Sequence, residues 1–354
     1  MGRRALLVLA ALSVGALVTA AVSAATKPRW DGPRSAHFDG ERFHYPGDPF
    51  DKNWADLIRY AFTRQPGDWT PIDLPVRDTP LPAVPPHSVQ ATLINHASVL
   101  LRTPTLSVLT DPIWSARASP VSWAGPKRRH APGIAFEQLP KIDVVIISHN
   151  HYDHLDIPTL KRLAARDAPQ FIVPAGDGAL LREAGITQVV ELDWNQSWTA
   201  ADGQAIHALR SKHWSGRSSL DRNRSLWAAY VIETAAGPVY FAGDTGYDDH
   251  YREAQMRFGN MRLALLPIGA FEPRWLVEWQ HMNPADAVRA HQDLGAAQSL
   301  GIHFGTFELA DDGPDDAPRE LQRALQTAGL DAAVFIAPEP GVPLNFATPA
   351  GVSR

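Results

Sequence analysis

The sequence predicts an α/β protein in which two β-sheets pack face to face with helices on their outer sides. Short β-rich runs recur along residues 88–337, and helices fall between groups of them, the pattern of sheets covered by helices. Hydrophobic residues make up 45% of the 354-residue chain and charged residues 20%, ample material for a layered core. No internal repeat is visible.

Taken in order, the chain opens with Arg3 and Arg4 before an uncharged stretch, Ala5 to Ala25, rich in Leu, Val and Ala. Val22-Ser23-Ala24 has the small-x-small form of a signal-peptidase site. Residues 1–25 are therefore expected to be a signal peptide or a retained membrane anchor. The protein would then be exported, periplasmic or anchored facing outside the cytoplasm. Residues 26–86 read as a proline-rich N-terminal arm, with proline at 66, 71, 75, 80, 82, 85 and 86. Proline lacks the donor that a sheet ladder requires, so this segment builds no sheet of its own. A short helix at Trp54 to Thr63 is expected in it, with Trp54, Phe62 and Trp69 as docking points.

A single catalytic domain is expected over residues 87–345. Val89–Ile94, Val99–Arg102 and Leu106–Thr110 read as a meander. Asp143–Ser148 follows, then a helix near Pro158–Ala165. Strands Phe171–Val173 and Val189–Leu192 bracket a helix at Gly178–Ala184. Ala205–Arg210, Trp227–Glu233 and Val239–Ala242 are further strands, and a helix near Asp248–Phe258 leads to the strand Leu263–Pro267. Asn283-Pro284 starts a helix that stops at Gly295. Strands Ala297–His303 and Ala333–Ala337 close the domain around a helix at Pro318–Ala328.

Chemistry concentrates after the run Ile142-Asp143-Val144-Val145-Ile146-Ile147, where His149, His151, Asp153 and His154 follow in the order His-x-His-x-Asp-His. Imidazoles crowded at a strand end repel one another when protonated, and coordination of a cation resolves that conflict. Four further positions follow apolar strands: His213, Asp244, His281 and His303. Loops at one sheet edge collect such residues into one rim. Seven ligands divide between two ions, His149, His151 and His213 for one and Asp153, His154 and His303 for the other, with Asp244 bridging. Each ion keeps a position for shared water. Two zinc ions are expected, although manganese and iron accept the same ligands. The chain has no cysteine, which excludes disulfides, thiolate ligands, a cysteine nucleophile and a lipid-modified N-terminus. Asp244 stands in the only Asp-Thr-Gly, so an aspartic-protease half-site is strongly disfavoured and a turn aspartate is its plain alternative. Asp111, at another strand end, is expected to accept a hydrogen bond from a ligating imidazole.

The chain resembles the metallo-β-lactamase superfamily, and within it the N-acylphosphatidylethanolamine-hydrolysing phospholipase D family. The ligand pattern carries the first resemblance. The second rests on Thr110-Asp111-Pro112-Ile113, Gly125-Pro126-Lys127-Arg128, Glu191-Leu192-Asp193-Trp194, Phe241 to Tyr247, Glu272-Pro273-Arg274-Trp275, Gln280-His281 and Ile302 to Phe307. It implies a four-layer αβ/βα sandwich, two zinc ions and hydrolysis of a phospholipid to an N-acylethanolamine and phosphatidic acid. It also implies that Asp153 is a catalytic ligand and that His281 faces the substrate. Residues 1–86 and 308–354 match the family poorly, and Gly216 stands where some relatives carry a basic side chain.

Lys127 and Arg274 are candidates for phosphate contact, with surface salt bridges as the alternative, and Trp275 for an apolar entrance shared with Trp214, Trp279, Phe271 and Phe307. Tryptophans at such an entrance suit a membrane surface. A lactonase, a β-lactamase and a nucleic-acid phosphodiesterase are alternatives on the same ligands. The formal net charge of −5 provides no basic footprint, so nucleic acid is not an expected partner. A non-catalytic envelope protein is disfavoured, because structural zinc sites are closed and cysteine-rich. Nothing in the sequence specifies an oligomeric state.

Overall fold

The computed structural model describes residues 30–47 and 52–347, the side chain of Trp54 excepted. The expected leader at residues 1–25 lies outside them. Among the described residues no helix is long and apolar enough to cross a membrane.

The β-rich runs assemble into two seven-stranded sheets. The first contains β1 (Ser88–Asn95), β2 (Ser98–Arg102), β3 (Ser107–Thr110), β4 (Val144–Ile146), β5 (Gln170–Pro174) and β6 (Val189–Leu192), and β14 (Pro343–Ala347) joins at its β1 edge. The second contains β7 (Ser197–Thr199), β8 (Ala205–Leu209), β9 (Ala229–Ile232), β10 (Val239–Phe241), β11 (Leu263–Pro267), β12 (Ser299–Ile302) and β13 (Phe335–Ile336), side by side in chain order. Both sheets are antiparallel where short turns join the strands. They become parallel from β3 to β6 and from β10 to β13, where longer connections carry the chain back.

Seven α-helices lie among the described residues, besides two single-turn 3-10 helices: α1 (Trp54–Thr63), α2 (Ile157–Asp167), α3 (Gly178–Glu183), α4 (His250–Phe258), α5 (Arg274–Val277), α6 (Pro284–Asp293) and α7 (Asp316–Ala328). Alternation along the strands sorts their side chains into layers. On β4, Val144 and Ile146 enter the core between the sheets, with Ile172, Tyr230, Phe241 and Leu265. Val145 points the other way, onto Leu160 and Leu163 of α2. On the far side Tyr240 and Leu266 meet Tyr251 of α4, Val288 of α6 and Leu321 of α7. Strands buried on both faces explain why the sequence shows continuous apolar runs there. The result is a four-layer αβ/βα sandwich. Asn283 caps α6 as its sequence predicts, accepting from the Asp286 N–H at 2.8 Å, with proline in the first turn.

Two strands depart from expectation. β14 begins at Pro343, which is tolerated because β14 lies at an edge, and β7 is only three residues long. The arm departs further. Phe62, expected as a docking point, is 88% exposed, and the Trp54 side chain lies outside the described residues. Trp69 does dock, donating from Nε1 to the Asp312 carbonyl at 3.2 Å. The deeper anchors are Phe38 and Phe43, which enter the core between the sheets, and Tyr45, whose hydroxyl donates to Asp248 at 2.9 Å. An arm that supplies core side chains is part of the domain's packing and not only its covering.

Candidate metal centre

The ends of several strands bring the titratable residues to one rim. His149, His151, Asp153 and His154 follow β4, His213 follows β8, Asp244 follows β10 and His303 follows β12. Gly243 makes the last step into Asp244 with φ of +59°, and a Cβ there would lie 2.5 Å from that of Ser148. Only glycine satisfies both conditions.

All seven expected ligands converge. His149, His151 and His213 present ring nitrogens within 4.8 Å of one another, and Asp153, His154 and His303 form a second such group. His149 Nε2 is 2.8 Å from His151 Nδ1, which is 3.4 Å from His213 Nε2. Asp153 Oδ2 is 3.2 Å from His154 Nε2 and 3.4 Å from His303 Nε2. Donors about 2.0–2.1 Å from a tetrahedral zinc ion lie about 3.3 Å apart, so these separations fit first-sphere ligands. Asp244 Oδ2 lies between the groups, 3.9 Å and 3.8 Å from His149 and His213, and 3.2 Å and 3.0 Å from His154 and His303. Asp244 is thus the carboxylate placed between the two groups of candidate ligands.

Hydrogen bonds on the far side of the rings aim the remaining lone pairs inward. Asp111, fully buried, accepts from the Ser148 N–H at 2.7 Å, the Ser148 hydroxyl at 2.5 Å and His154 Nδ1 at 2.6 Å. His213 Nδ1 donates to the Gln280 carbonyl at 3.0 Å. Those bonds select the tautomers that leave Nε2 of both rings free. Nε2 of His154 and of His303 and Oδ1 of Asp244 are buried with no hydrogen-bond partner. Orphaned polar atoms are costly in a native interior, and cations between them would satisfy all three.

The charges agree. Burial holds the His149 and His213 rings well below their usual range and brings His151 down to about 4. Burial also opposes charge on His154 and His303, yet Asp244 and Asp153 outweigh it, raising His154 well above its usual range and His303 to about 9. Both carboxylates stay well below theirs despite burial, chiefly through His154. Buried carboxylates thus demand positive charge at this spot. Protonated imidazoles supply it when the protein is alone, and divalent cations would supply it with the imidazoles neutral.

His281 joins from the segment between α5 and α6, within 4.8 Å of His213 and Asp244 by donor atoms. Burial brings its ring down to about 4, so it is neutral near pH 7, and its Nδ1 has no partner. It opens onto a cavity of about 310 Å³ together with His151, Asp153, Asp244 and His303. Ala118, Tyr152, Trp214, Val277, Leu309 and Ala310 supply much of the remaining wall.

The three expected substrate contacts are not in that wall. The Arg274 guanidinium donates to the His281 carbonyl and pairs with Asp286, each at 2.9 Å, so it holds the His281 backbone instead of facing a phosphate. Lys127 is exposed beside Arg117, and the Trp275 ring lies 4.4 Å beneath the Arg59 guanidinium of α1. Of the other aromatic candidates Trp214 lines the cavity, while Phe271 packs against the α6 and α7 layer. The reading of the sequence missed His96. Its Nε2 lies 2.9 Å from Asp153 Oδ2, close against the second group of candidate ligands. Its position at the end of an apolar strand is the signal that could have found it.

Residues 107–304 match the Beta-lactamase superfamily domain. The chain is 36% identical over 252 residues to N-acyl-phosphatidylethanolamine-hydrolyzing phospholipase D 1 of Caenorhabditis elegans, covering 68% of this chain and 70% of that protein. It is 38% identical over 211 residues to the mitochondrial protein of that name from Saccharomyces cerevisiae, covering 58% and 45%. It is 41% identical over 251 residues to an uncharacterized protein of Mycobacterium tuberculosis, covering 70% of this chain and 66% of that relative's length. Among solved structures, the metallo hydrolase Igni18 from Ignicoccus hospitalis superposes with a TM-score of 0.55 at 22% identity, over 73% of this chain and 98% of that one. That likeness speaks for the fold. Fold, ligand geometry and relatives together place the chain in the metallo-β-lactamase superfamily, as a metal-dependent hydrolase related to the N-acylphosphatidylethanolamine-hydrolysing phospholipases D.

Proposed function

We propose that the protein is a zinc-dependent phosphodiesterase of phospholipase D type, acting on N-acylphosphatidylethanolamine or a related phospholipid. The observation that carries the reading is the cavity of about 310 Å³, in which His281 and the ligand carboxylates face a wall rich in apolar side chains. Such a site suits a phosphodiester attached to hydrocarbon. The activity after which the nematode and yeast relatives are named points to the same substrate class.

Two zinc ions held by His149, His151 and His213 and by Asp153, His154 and His303, with Asp244 between, would supply Lewis acidity and an acidified water. The chain's own residues do the rest. Asp111 and the Gln280 carbonyl orient the imidazoles. His281, neutral, offers one N–H to a phosphoryl oxygen or to the oxygen of the departing N-acylethanolamine. Water oxygen adds to phosphorus and gives up a proton, the P–O bond to that alcohol breaks, and the departing oxygen takes up a proton in turn. Arg274 keeps His281 in place through its carbonyl.

A membrane surface as partner is part of the proposal. Helix α1 docks by its polar side: Tyr60 donates to Asp311 at 2.9 Å and Arg64 pairs with Glu308 at 2.7 Å. Leu57, Ile58 and Phe62 are left facing solvent, 45%, 58% and 88% exposed. Leu309 and Ala310, next to those contacts, line the cavity. Apolar side chains beside the mouth of a lipid-cleaving site suit insertion among headgroups. Export through residues 1–25 fits the same picture, and fractionation of cells expressing the full chain tests it.

The test of function is turnover by the zinc-loaded protein on N-acylphosphatidylethanolamine, phosphatidylethanolamine, bis-p-nitrophenyl phosphate and an acyl lactone. Release of N-acylethanolamine and phosphatidic acid is expected. Lactone opening with no phosphodiester cleavage would overturn the proposal.

A further inference from the structure

His96 is one of the two residues that turn β1 into β2, at φ of +46°, a conformation that few side-chain-bearing residues adopt. It is 1% exposed. Four contacts tie it to the rim. Its Nε2 lies 2.9 Å from Asp153 Oδ2. Its carbonyl accepts from the His303 N–H at 2.8 Å, and its ring centroid is 4.1 Å from that of His303. Its own N–H donates to Thr306 Oγ1 at 2.9 Å.

The Nδ1 of His96 is buried with no hydrogen-bond partner. That decides the tautomer. A proton on Nδ1 alone would orphan a buried donor and set the Nε2 lone pair against a carboxylate oxygen. A proton on Nε2 makes the bond to Asp153 and leaves only an unpaired acceptor. With its Nε2 lone pair replaced by N–H, this ring is a donor to the ligand set and not a member of it.

We propose that His96 is a positioning residue for the second cation position, holding Asp153 by its ring and His303 by its main chain, and so setting affinity there alone. This rests on the two-cation reading of the site and is independent of which substrate is cleaved. His96 has its hydrogen bonds and ring contacts with Asp153, His154, His303, Thr306 and Phe307 and not with His149, His151 or His213, so the position of those three should be spared.

The test is titration of the metal-stripped full chain with Zn²⁺ against a chromophoric chelator. H96F keeps an aromatic ring beside His303 but has no donor, whereas H96Q keeps a side-chain N–H. The wild type is expected to bind two equivalents. H96F should weaken one of them about 10–100-fold, as loss of an outer-sphere partner does, and H96Q should recover most of that loss. Circular dichroism of the stripped proteins separates a lost cation position from a lost fold. If H96F does not fold, H96N, too short to reach Asp153, replaces it. Two unchanged equivalents in H96F, equal weakening of both, or no recovery in H96Q would each overturn the proposal. A wild type that binds a single equivalent would overturn the two-cation reading with it, whatever lipid is cleaved.

Discussion

Asp111→Asn is the sharpest probe of how the imidazoles are aimed. The carboxylate is fully buried and its two oxygens receive three donors, the Ser148 N–H, the Ser148 hydroxyl and His154 Nδ1, at 2.7, 2.5 and 2.6 Å. Burial raises this carboxyl from its usual range, against the opposing pull of His154 and Ser148. An amide of the same shape replaces one acceptor oxygen with a donor. If the NH₂ faces His154, two donors meet, and the ring must flip its tautomer and lose the free Nε2. If it faces the Ser148 N–H, that bond is lost instead. A hydrogen bond to a charged group contributes ~1.5–3 kcal/mol, so either outcome should lower stability by about that amount. Zinc affinity at the His154 position should fall about 10–100-fold, equivalent to ~1.4–2.8 kcal/mol. Chelator competition reads the affinity, and urea unfolding of the stripped protein reads the stability. If both were unchanged, Asp111 would be a bystander and the orienting argument would fail.

Asp153→Asn should abolish phosphodiester turnover while leaving far-UV dichroism intact; a variant that still turns over would remove Asp153 from the ligand set. Arg274→Ala should lower kcat by up to ~10²-fold with both zinc equivalents retained, because it loosens the His281 backbone and touches no ligand. Phe62→Asp together with Ile58→Asp should weaken binding to anionic vesicles yet leave hydrolysis of soluble bis-p-nitrophenyl phosphate unaltered. His250 is buried and its ring is brought down to about 3 by burial, from 6.5 in the unfolded chain. Between those values the unfolded chain binds the additional proton, so stability falls as pH drops below about 6.5, by up to ~1.4 kcal/mol per unit. Stripped His250→Gln should show a shallower acid limb in urea midpoint against pH, and an identical limb would refute the assignment.

The candidate ligands that converge at the rim were legible because each follows an apolar strand, and strands announce themselves locally through β-branched runs. Arg274 was misjudged for the opposite reason. A guanidinium looks the same in sequence whether it faces a phosphate or, as here, the His281 carbonyl and Asp286. His96 escaped notice because it stands alone, 53 positions before the His149 motif, and its contact with Asp153 is a matter of folding. Phe62 was expected inside on hydrophobicity alone, yet α1 docks by Tyr60 and Arg64 and turns that face outward.

By itself the sequence determined most of the strands and helices, though not β7 or β14, together with the chemical class of the site and the side chains that are candidates to hold cations. Those properties reside in residue type and short-range spacing. Only the tertiary structure decided which tautomers the rings adopt, which charges are spent on neighbours, and that Phe38 and Phe43 of the arm complete the core. Each of these depends on contacts between residues far apart along the chain, and such contacts exist only once the sheets have closed on one another.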